Sequence, residues 1–227
     1  MIHYLFDIDG TLVRAGGAGA RSLAAVMEAR YGVADAARGV NAAGRTDPSI
    51  VEEIFAKALG RAPEAGEVDA VIAAYLDELD RALGGATSTL RVLPSAGDVL
   101  HWLATCAGTT LAVATGNVRH GARIKLRHAR LDAHFDLDRT GGYGCDSAVR
   151  AELVARAVER AGATARDTVV VVGDTVHDVS AAHAVGALCV AVTTGSDRAE
   201  TLTAAGADAV IDGLDELRAW HAARFAA

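Results

Sequence analysis

The sequence predicts an α/β protein with a doubly wound parallel sheet and a helical insertion. Three observations support this fold. An apolar run from Ile2 to Phe6 opens the chain, strand and helix patterns alternate from Leu90 onward, and the stretch between them has helical periodicity without strand patterns. Alternating strands and helices are typical of a parallel sheet that is covered by helices on both faces.

The elements follow in order along the chain. After the first strand, the apolar spacing predicts three helices, over residues 22–31, 48–59 and 68–83. Further helices of the core are predicted over residues 94–106, 118–129, 149–161 and 179–185, with a terminal helix at the end. The strands between them are predicted over residues 110–114, 168–172, 189–192 and 209–211.

The helical stretch leaves the core directly after the first strand and returns through Leu90–Pro94. We therefore predict a core of residues 1–13 and 93–227 and a separate helical unit over residues 14–92. Such an insertion covers one end of the sheet and can act as a lid.

The composition argues against two classes of function, nucleic acid binding and membrane association. The chain of 227 residues has 51% hydrophobic residues and a net charge of −7, without the clusters of basic and aromatic residues that bind nucleic acid. We expect no binding to a nucleic acid duplex. There is no apolar segment long enough for a signal peptide or a membrane span, so we expect no membrane association and a cytoplasmic location. The oligomeric state is left open between monomer and homodimer.

Polar residues follow three of the predicted strands. Asp7 and Asp9 follow the first, Thr115–Asn117 follow the strand over 110–114, and Asp174 and Asp178 follow the strand over 168–172. Parallel sheets bind ligands at the carboxyl ends of their strands, near the point where the strand order reverses. A single pocket could therefore collect all of these residues.

These residue types fit a phosphate ester. Carboxylates are hard oxygen ligands of the kind that Mg²⁺ prefers, and we predict Asp7, Asp9, Asp174 and Asp178 as its ligands. Thr115 and the amides of Gly116 and Asn117, at the start of a helix, are placed to bind an anion. Asp178 could also stabilise the start of its helix.

The two aspartates of the first strand then have different tasks. A carboxylate is a competent nucleophile toward phosphorus, and Asp7 would form an aspartyl-phosphate that water hydrolyses. Asp9 could protonate the leaving alcohol and later deprotonate the attacking water.

The sequence resembles the phosphatases of the haloacid dehalogenase superfamily, which include phosphoglycolate phosphatases. Three motifs carry the resemblance, in order: Asp7-Ile8-Asp9-Gly10-Thr11-Leu12, Thr115-Gly116-Asn117 and Gly173-Asp174-Thr175-Val176-His177-Asp178. The resemblance implies a Rossmann-like core with an inserted helical cap domain, Mg²⁺ dependence and hydrolysis of phosphomonoesters. In this family a second aspartate in the first motif marks phosphatases, so Asp9 argues against dehalogenation.

The third motif of the family, a lysine or arginine beside the nucleophile, has no clear match. Arg150 and Lys125 are the two candidates. Lys125 lies about 12 Å along its helix from the anion-binding start, whereas Arg150 opens the next predicted helix. We therefore favour Arg150 as the catalytic cation, which could instead be a surface residue paired with an acid.

Substrate choice is expected to come from the insertion. The loop Gly44-Arg45-Thr46-Asp47-Pro48 resembles a loop of related phosphatases that faces the active site. Arg45 is thus predicted to meet an anionic group of the substrate, and Thr46 or Asp47 to cap the helix that follows.

The leading hypothesis is a Mg²⁺-dependent phosphatase acting on a small phosphorylated metabolite, such as a sugar phosphate, phosphoglycolate or a nucleoside monophosphate. A phosphomutase would use the same nucleophile. A phosphonate hydrolase needs a reactive lysine in the cap, and only Lys57 is available there. A non-catalytic protein that binds a phosphorylated ligand is the remaining alternative.

Overall fold

The computed structural model describes residues 1–225. The strands, in chain order, are β1 (Ile2–Phe6), β2 (Val13–Arg14), β3 (Arg91–Val92), β4 (Thr109–Val113), β5 (Thr168–Gly173), β6 (Leu188–Val192) and β7 (Ala209–Ile211). The α-helices are α1 (Ala18–Tyr31), α2 (Asp47–Ile54), α3 (Glu67–Gly84), α4 (Ala96–Thr105), α5 (Arg119–Ala129), α6 (Arg150–Arg160), α7 (Val176–Ala184), α8 (Ala199–Ala204) and α9 (Leu217–Phe225).

Five strands form one parallel sheet in the spatial order β4-β1-β5-β6-β7. Strand β1 lies between β4 and β5, and Phe6 at its end is in register with Val113 on one side and Val172 on the other. Successive connections thus run to opposite sides of β1, which makes its carboxyl end the point where the strand order reverses.

Both faces of the sheet are covered by helices. Side chains alternate along β1, so that Tyr4 and Phe6 pack with residues of α4, α5 and α9, whereas Leu5 packs with residues of α6, α7 and α8. This arrangement confirms the predicted α/β, Rossmann-like doubly wound parallel sheet.

Residues 14–92, here called the helical insertion, contain α1, α2 and α3 around a third apolar cluster, which includes Met27, Ile54 and Leu79 and is joined by Ile124 of α5. The predicted helix over 48–59 is divided, because α2 is followed by a wider π-type turn over Phe55–Leu59.

The two chain segments that connect the helical insertion to the core form a short antiparallel ribbon, in which Val13 pairs with Val92. The sequence did not predict β2 and β3, because two residues are too few to show an alternating pattern. Helix α7 begins at Val176, three residues before its predicted start, because Thr175 and Asp178 form a capping box there.

Among residues 1–225, no helix has both the length and the apolar composition that crossing a bilayer requires.

Candidate active site

The predicted convergence of the three strand ends is observed. Asp7, Thr115 and Asp174 all line one cavity of about 730 Å³ between the carboxyl edge of the sheet and the helical insertion. This volume is in the range of small-molecule sites.

Two carboxylates that line this cavity, those of Asp7 and Asp174, lie close to a third carboxylate, that of Asp178. Asp7, Asp174 and Asp178 are buried, and one oxygen from each lies within 4.8 Å of the others. Burial, and then the charges of Asp7 and Asp178, raise the pKa of Asp174 to about 8. Burial also raises the pKa of Asp7 to about 6, although Arg150 lowers it in part. Buried carboxylates that lie this close repel one another when ionised, and their hard oxygen atoms suit a divalent ion such as Mg²⁺.

Arg150 contacts this acidic group directly. Its Nε and Nη2 donate to Asp178 Oδ1 at 2.9 and 2.6 Å, and Nη2 lies 3.2 Å from Asp7 Oδ1. Burial lowers the pKa of Arg150, but the charges of Asp178 and Asp7 outweigh that effect and raise it. The guanidinium of Arg150 therefore remains charged beside Asp7, and the alternative of an exposed surface arginine is wrong.

Asp178 has a structural role as well. Its Oδ2 accepts hydrogen bonds from the Thr175 backbone N–H at 3.1 Å and the Thr175 hydroxyl at 2.7 Å. The first of these bonds, with the bond from the Asp178 backbone N–H to Thr175 Oγ1 at 3.4 Å, forms a capping box that begins α7 at Val176. Together with the two bonds from Arg150, the two bonds to Oδ2 use the four acceptor positions of the carboxylate. The carboxylate of Asp174 has more free acceptor positions, since it accepts one close hydrogen bond, from the Ser196 backbone N–H to Oδ2 at 2.7 Å.

Lys125 also lies in the site, and the argument that helix rise keeps it away is wrong. Its Nζ donates to Asp9 Oδ2 and to Asn117 Oδ1, both at 2.6 Å. Side chains on a helix point toward its N-terminus, so the long lysine reaches back along α5. Burial lowers the pKa of Lys125, but the charges of Asp9 and Asp47 raise it above its ordinary value. Lys125 and Arg150 are thus both buried cations of the site.

Asp9 is placed differently from the other acids. It is not a member of the three-carboxylate group found among residues 1–225. Its Oδ2 accepts from Lys125 and, at 2.8 Å, from the Asn117 side chain, while its side chain is 42% exposed and lines the cavity. Its role as a metal ligand stays a prediction.

The Thr115–Asn117 turn is partly occupied by its own hydrogen bonds. Thr115 Oγ1 accepts from the Asn117 backbone at 3.3 Å and from the Asn117 side chain at 2.8 Å. The next amide, of Val118, donates to Asp47 Oδ2 at 2.8 Å. All three residues of the predicted anion site line the cavity, but the protein already supplies an acceptor for two of the amides near the start of α5.

The helical insertion is docked on this turn. Besides its carboxylate contact, the Asp47 backbone N–H donates to Gly116 O at 2.9 Å. A Cβ atom at Gly116 would lie 2.0 Å from the Arg45 carbonyl oxygen, so the contact requires glycine. Burial raises the pKa of Asp47 to about 6, with Lys125 acting in the opposite direction.

Arg45 lines the cavity, but its guanidinium is engaged within the helical insertion. It forms an ion pair with Glu53, and its Nη2 donates to the Ser49 carbonyl at 2.8 Å. Thr46 is the N-cap of α2, as predicted, and its hydroxyl accepts from the Ser49 backbone at 3.4 Å. Contact between Arg45 and an anionic substrate group stays a prediction.

Comparisons with known proteins found similar sequences. A family model described as haloacid dehalogenase-like hydrolase matches residues 3–186. Over 220 residues, which are 94% of this chain and 70% of the other, the sequence is 30% identical to the tyrosine-protein kinase PtkA of Mycobacterium tuberculosis. A stretch of 110 residues is 34% identical to the probable phosphatase IndB of Dickeya dadantii; the match spans 48% of this chain and about half, 47%, of that protein.

Solved structures show the same fold. CbbY from Rhodobacter sphaeroides, in complex with phosphate, superposes with a TM-score of 0.74 at 20% identity over 95% of each chain. A hydrolase from Pseudomonas syringae superposes with a TM-score of 0.67 at 20% identity, over 97% of this chain and 98% of that one.

Proposed function

Because the chain belongs to the haloacid dehalogenase-like hydrolase family, we propose that it is a Mg²⁺-dependent phosphatase that hydrolyses a small phosphomonoester through an aspartyl-phosphate on Asp7. One observation carries this proposal. Asp7 lines the cavity next to the other two acids, with the Arg150 guanidinium 3.2 Å from its carboxylate, so an ester phosphate can reach it beside a fixed positive charge.

The reaction would take two steps, in which Asp9 first gives a proton and then takes one back. Asp7 attacks phosphorus, and the bond from phosphorus to the alcohol oxygen breaks as Asp9 gives that oxygen a proton. Asp9 then takes a proton from water, whose oxygen attacks the phosphorus and releases inorganic phosphate and free Asp7. The exposure of Asp9 to the cavity supports this assignment, because its carboxylate is accessible to both the alcohol and the water.

The two cations would stabilise different charges. Arg150, held by Asp178, would face the transferred phosphoryl group through its planar fork, with Thr115 and the Gly116 amide on the other side. Lys125 would orient Asp9 and add positive charge where the alcohol departs. Asn117, which bonds to Asp9 and Thr115, would hold these two residues in place.

Asp7, Asp174 and Asp178 would hold Mg²⁺, and Asp178 would give up one of its hydrogen bonds from Arg150 or Thr175 to do so. When bound, the ion would neutralise charge on the phosphoryl oxygens. The predicted ligation by Asp9 remains part of the proposal.

The helical insertion would serve as the cap that closes over the substrate, with Arg45 near its entrance. We expect the enzyme to act in the cytoplasm on a small phosphorylated metabolite, as a monomer or homodimer. The presence of Asp7, Asp9, Asp174 and Asp178 in or under one cavity disfavours a non-catalytic role. A phosphomutase would use the same residues and would be recognised by a phosphorylated organic product.

The test is phosphate release from a panel of phosphomonoesters, with Mg²⁺ and with chelator. The wild type, Asp7→Asn and the surface control Asp138→Asn are compared, since Asp138 is exposed and pairs only with Arg123 among the described residues. Release that requires both Mg²⁺ and Asp7 is expected. A folded, Mg²⁺-binding protein that releases no phosphate from any ester would contradict the proposal.

A further inference from the structure

One buried polar group in the cavity has no partner. Tyr75, on α3, is 2% exposed and lines the cavity, and its hydroxyl makes no hydrogen bond to any residue of the described chain. The Tyr75 oxygen is not one of the fully enclosed side-chain atoms that lack a partner, so it faces the cavity. Because polar groups in such a place are nearly always paired with protein or solvent, this hydroxyl is available to a bound ligand.

The surroundings keep this hydroxyl accessible and protonated. A Cβ atom at Gly19 would lie 3.4 Å from the Tyr75 oxygen, so glycine leaves the approach from α1 open. Burial, followed by the charges of Asp47 and Asp9, raises the pKa of Tyr75 well above its ordinary value. Tyr75 is therefore a hydrogen-bond donor, and it shares the cavity with Asp9 and Asp47, whose charges act on it.

The rest of the cavity wall that comes from the helical insertion is mainly apolar. Leu23, Val40 and Ile50 line it together with alanines and glycines, and the Oδ1 atom of Asn41, which also lines it, already accepts from the Ala43 backbone N–H. Its charged residues are already bound. Asp47 accepts from Val118, and Arg45 pairs with Glu53.

Arg14 is the remaining cation on this wall. It is exposed on β2, and its guanidinium donates to the Thr194 carbonyl of the core. An exposed cation is hydrated and contributes little to the binding of an anion.

We propose that the helical insertion selects a phosphomonoester whose alcohol part is uncharged and largely apolar and carries one oxygen that accepts a hydrogen bond from Tyr75. This inference rests on the proposed function and narrows its substrate class. A sugar would place several hydroxyl groups against the apolar wall, and each buried hydroxyl without a partner lowers affinity by roughly tenfold. A second anionic group, such as a carboxylate, would face Asp47 and Asp9 without a free buried cation.

The experiment removes the hydroxyl group of Tyr75 and that of the substrate separately and together. The values of kcat/KM are measured for butyl phosphate and for the 2-, 3- and 4-hydroxybutyl phosphates, with wild type and Tyr75→Phe. The wild type is expected to prefer at least one hydroxylated ester over butyl phosphate by about 3- to 10-fold, and Tyr75→Phe to lose that preference through KM. Because the hydroxyl of Tyr75 has no protein partner, the variant is expected to fold with unchanged thermal stability.

Tyr31→Phe is the matched control, because the Tyr31 hydroxyl lies in the same helical insertion but bonds to Glu67 and does not line the cavity. It is expected to keep the wild-type preference. Glucose 6-phosphate and 2-phosphoglycolate complete the panel and are expected to have kcat/KM values at least about tenfold lower. An unchanged preference in Tyr75→Phe, or a preference for either of these two esters, would overturn the inference.

A binding measurement distinguishes a failure of this inference from a failure of the proposed function. Calorimetric titration of the same esters into Asp7→Asn measures selectivity without turnover. If esters bind with the expected selectivity but none is hydrolysed by wild type, the phosphatase proposal fails while the assignment of Tyr75 stands. If hydrolysis depends on Asp7 but binding ignores the hydroxyl group, Tyr75 has no such role and the phosphatase proposal stands.

Discussion

Lys125 Nζ lies 2.6 Å from Asp9 Oδ2, although Lys125 is near the middle of α5 and Asp9 follows β1. The contact joins the helix after the second motif to the predicted acid and base of the first motif. Lys125 is buried, so its charge is little screened by water, and it fixes one oxygen of Asp9 in a defined position.

Replacing Lys125 by methionine keeps the length of the side chain and removes its charge. We expect kcat to fall by about 100-fold, because Asp9 loses its orientation and the departing alcohol loses a nearby positive charge. Steady-state kinetics measure the effect. Lys57→Met is the control, since Lys57 is the other lysine of the chain and is exposed in the helical insertion. Equal kinetics in the two variants would contradict the role of Lys125.

Arg150 is expected to stabilise the fold as well as the reaction. Arg150→Met leaves the buried carboxylates of Asp7 and Asp178 without their cation, and breaking a buried ion pair costs about 3–5 kcal/mol. Urea unfolding without metal measures the loss, and added Mg²⁺ should recover part of it. Arg156→Met, an exposed change on the same helix, should alter stability by less than about 0.5 kcal/mol. Equal stability of the two variants would be inconsistent with this account.

The acidic group predicts a pH dependence of stability in the metal-free protein. The pKa of Asp174 is raised to about 8 by burial, Asp7 and Asp178, whereas an unfolded aspartate has a pKa of about 3.9. Between these values the folded state binds more protons than the unfolded state. The contribution of Asp174 to stability is therefore fully present below about pH 4 and is lost as pH rises through about 8.

Urea midpoints at about pH 5, 6.5 and 8.5 test this sign. The wild type is expected to lose stability with rising pH relative to Asp174→Asn, in which residue 174 cannot ionise. Mg²⁺ should reduce the loss in the wild type, because binding requires ionised carboxylates. A wild type that gains stability relative to the variant over this range would show that the sign is wrong.

Gly116 is expected to be required for docking of the helical insertion. The Cβ atom of Gly116→Ala would meet the Arg45 carbonyl at 2.0 Å, and the backbone there cannot rotate away as a flexible side chain could. We expect a rise in KM and a loss of stability of about 1–3 kcal/mol, as is usual for overpacking. Gly97→Ala in α4, where the nearest atom is at 3.7 Å, should instead be neutral or stabilising by up to about 1 kcal/mol. Similar behaviour of the two alanine variants would refute the close contact.

The sequence predicted the features that depend on local pattern. The core strands and helices follow from apolar periodicity, and Asp7, Thr115 and Asp174 come together because the ends of adjacent parallel strands lie at one edge of the sheet. The start of α7 was predicted too late because its signal is a hydrogen bond between Thr175 and Asp178, not an apolar pattern.

The features that were missed depend on the reach of a side chain or on docking between distant segments. The distance of Lys125 from the start of α5 was estimated from the rise per residue alone. That estimate took no account of the Lys125 side chain, which points back toward the start of the helix. No local pattern connects Asp47 with Val118, or Tyr75 with the cavity, because both relationships arise from the packing of the helical insertion on the core. A buried tyrosine on an apolar helix face looks like any core residue in the sequence.

The most direct test of the central claim is to stop turnover with acid and locate the phosphoryl group by mass spectrometry of peptides. For a substrate hydrolysed by the wild type, the account predicts a phosphoryl group on Asp7, increased in Asp9→Asn, where deprotonation of water is lost, and absent in Asp7→Asn. A phosphoryl group on another residue, or full activity of Asp7→Asn, would contradict the assignment of Asp7 as the nucleophile.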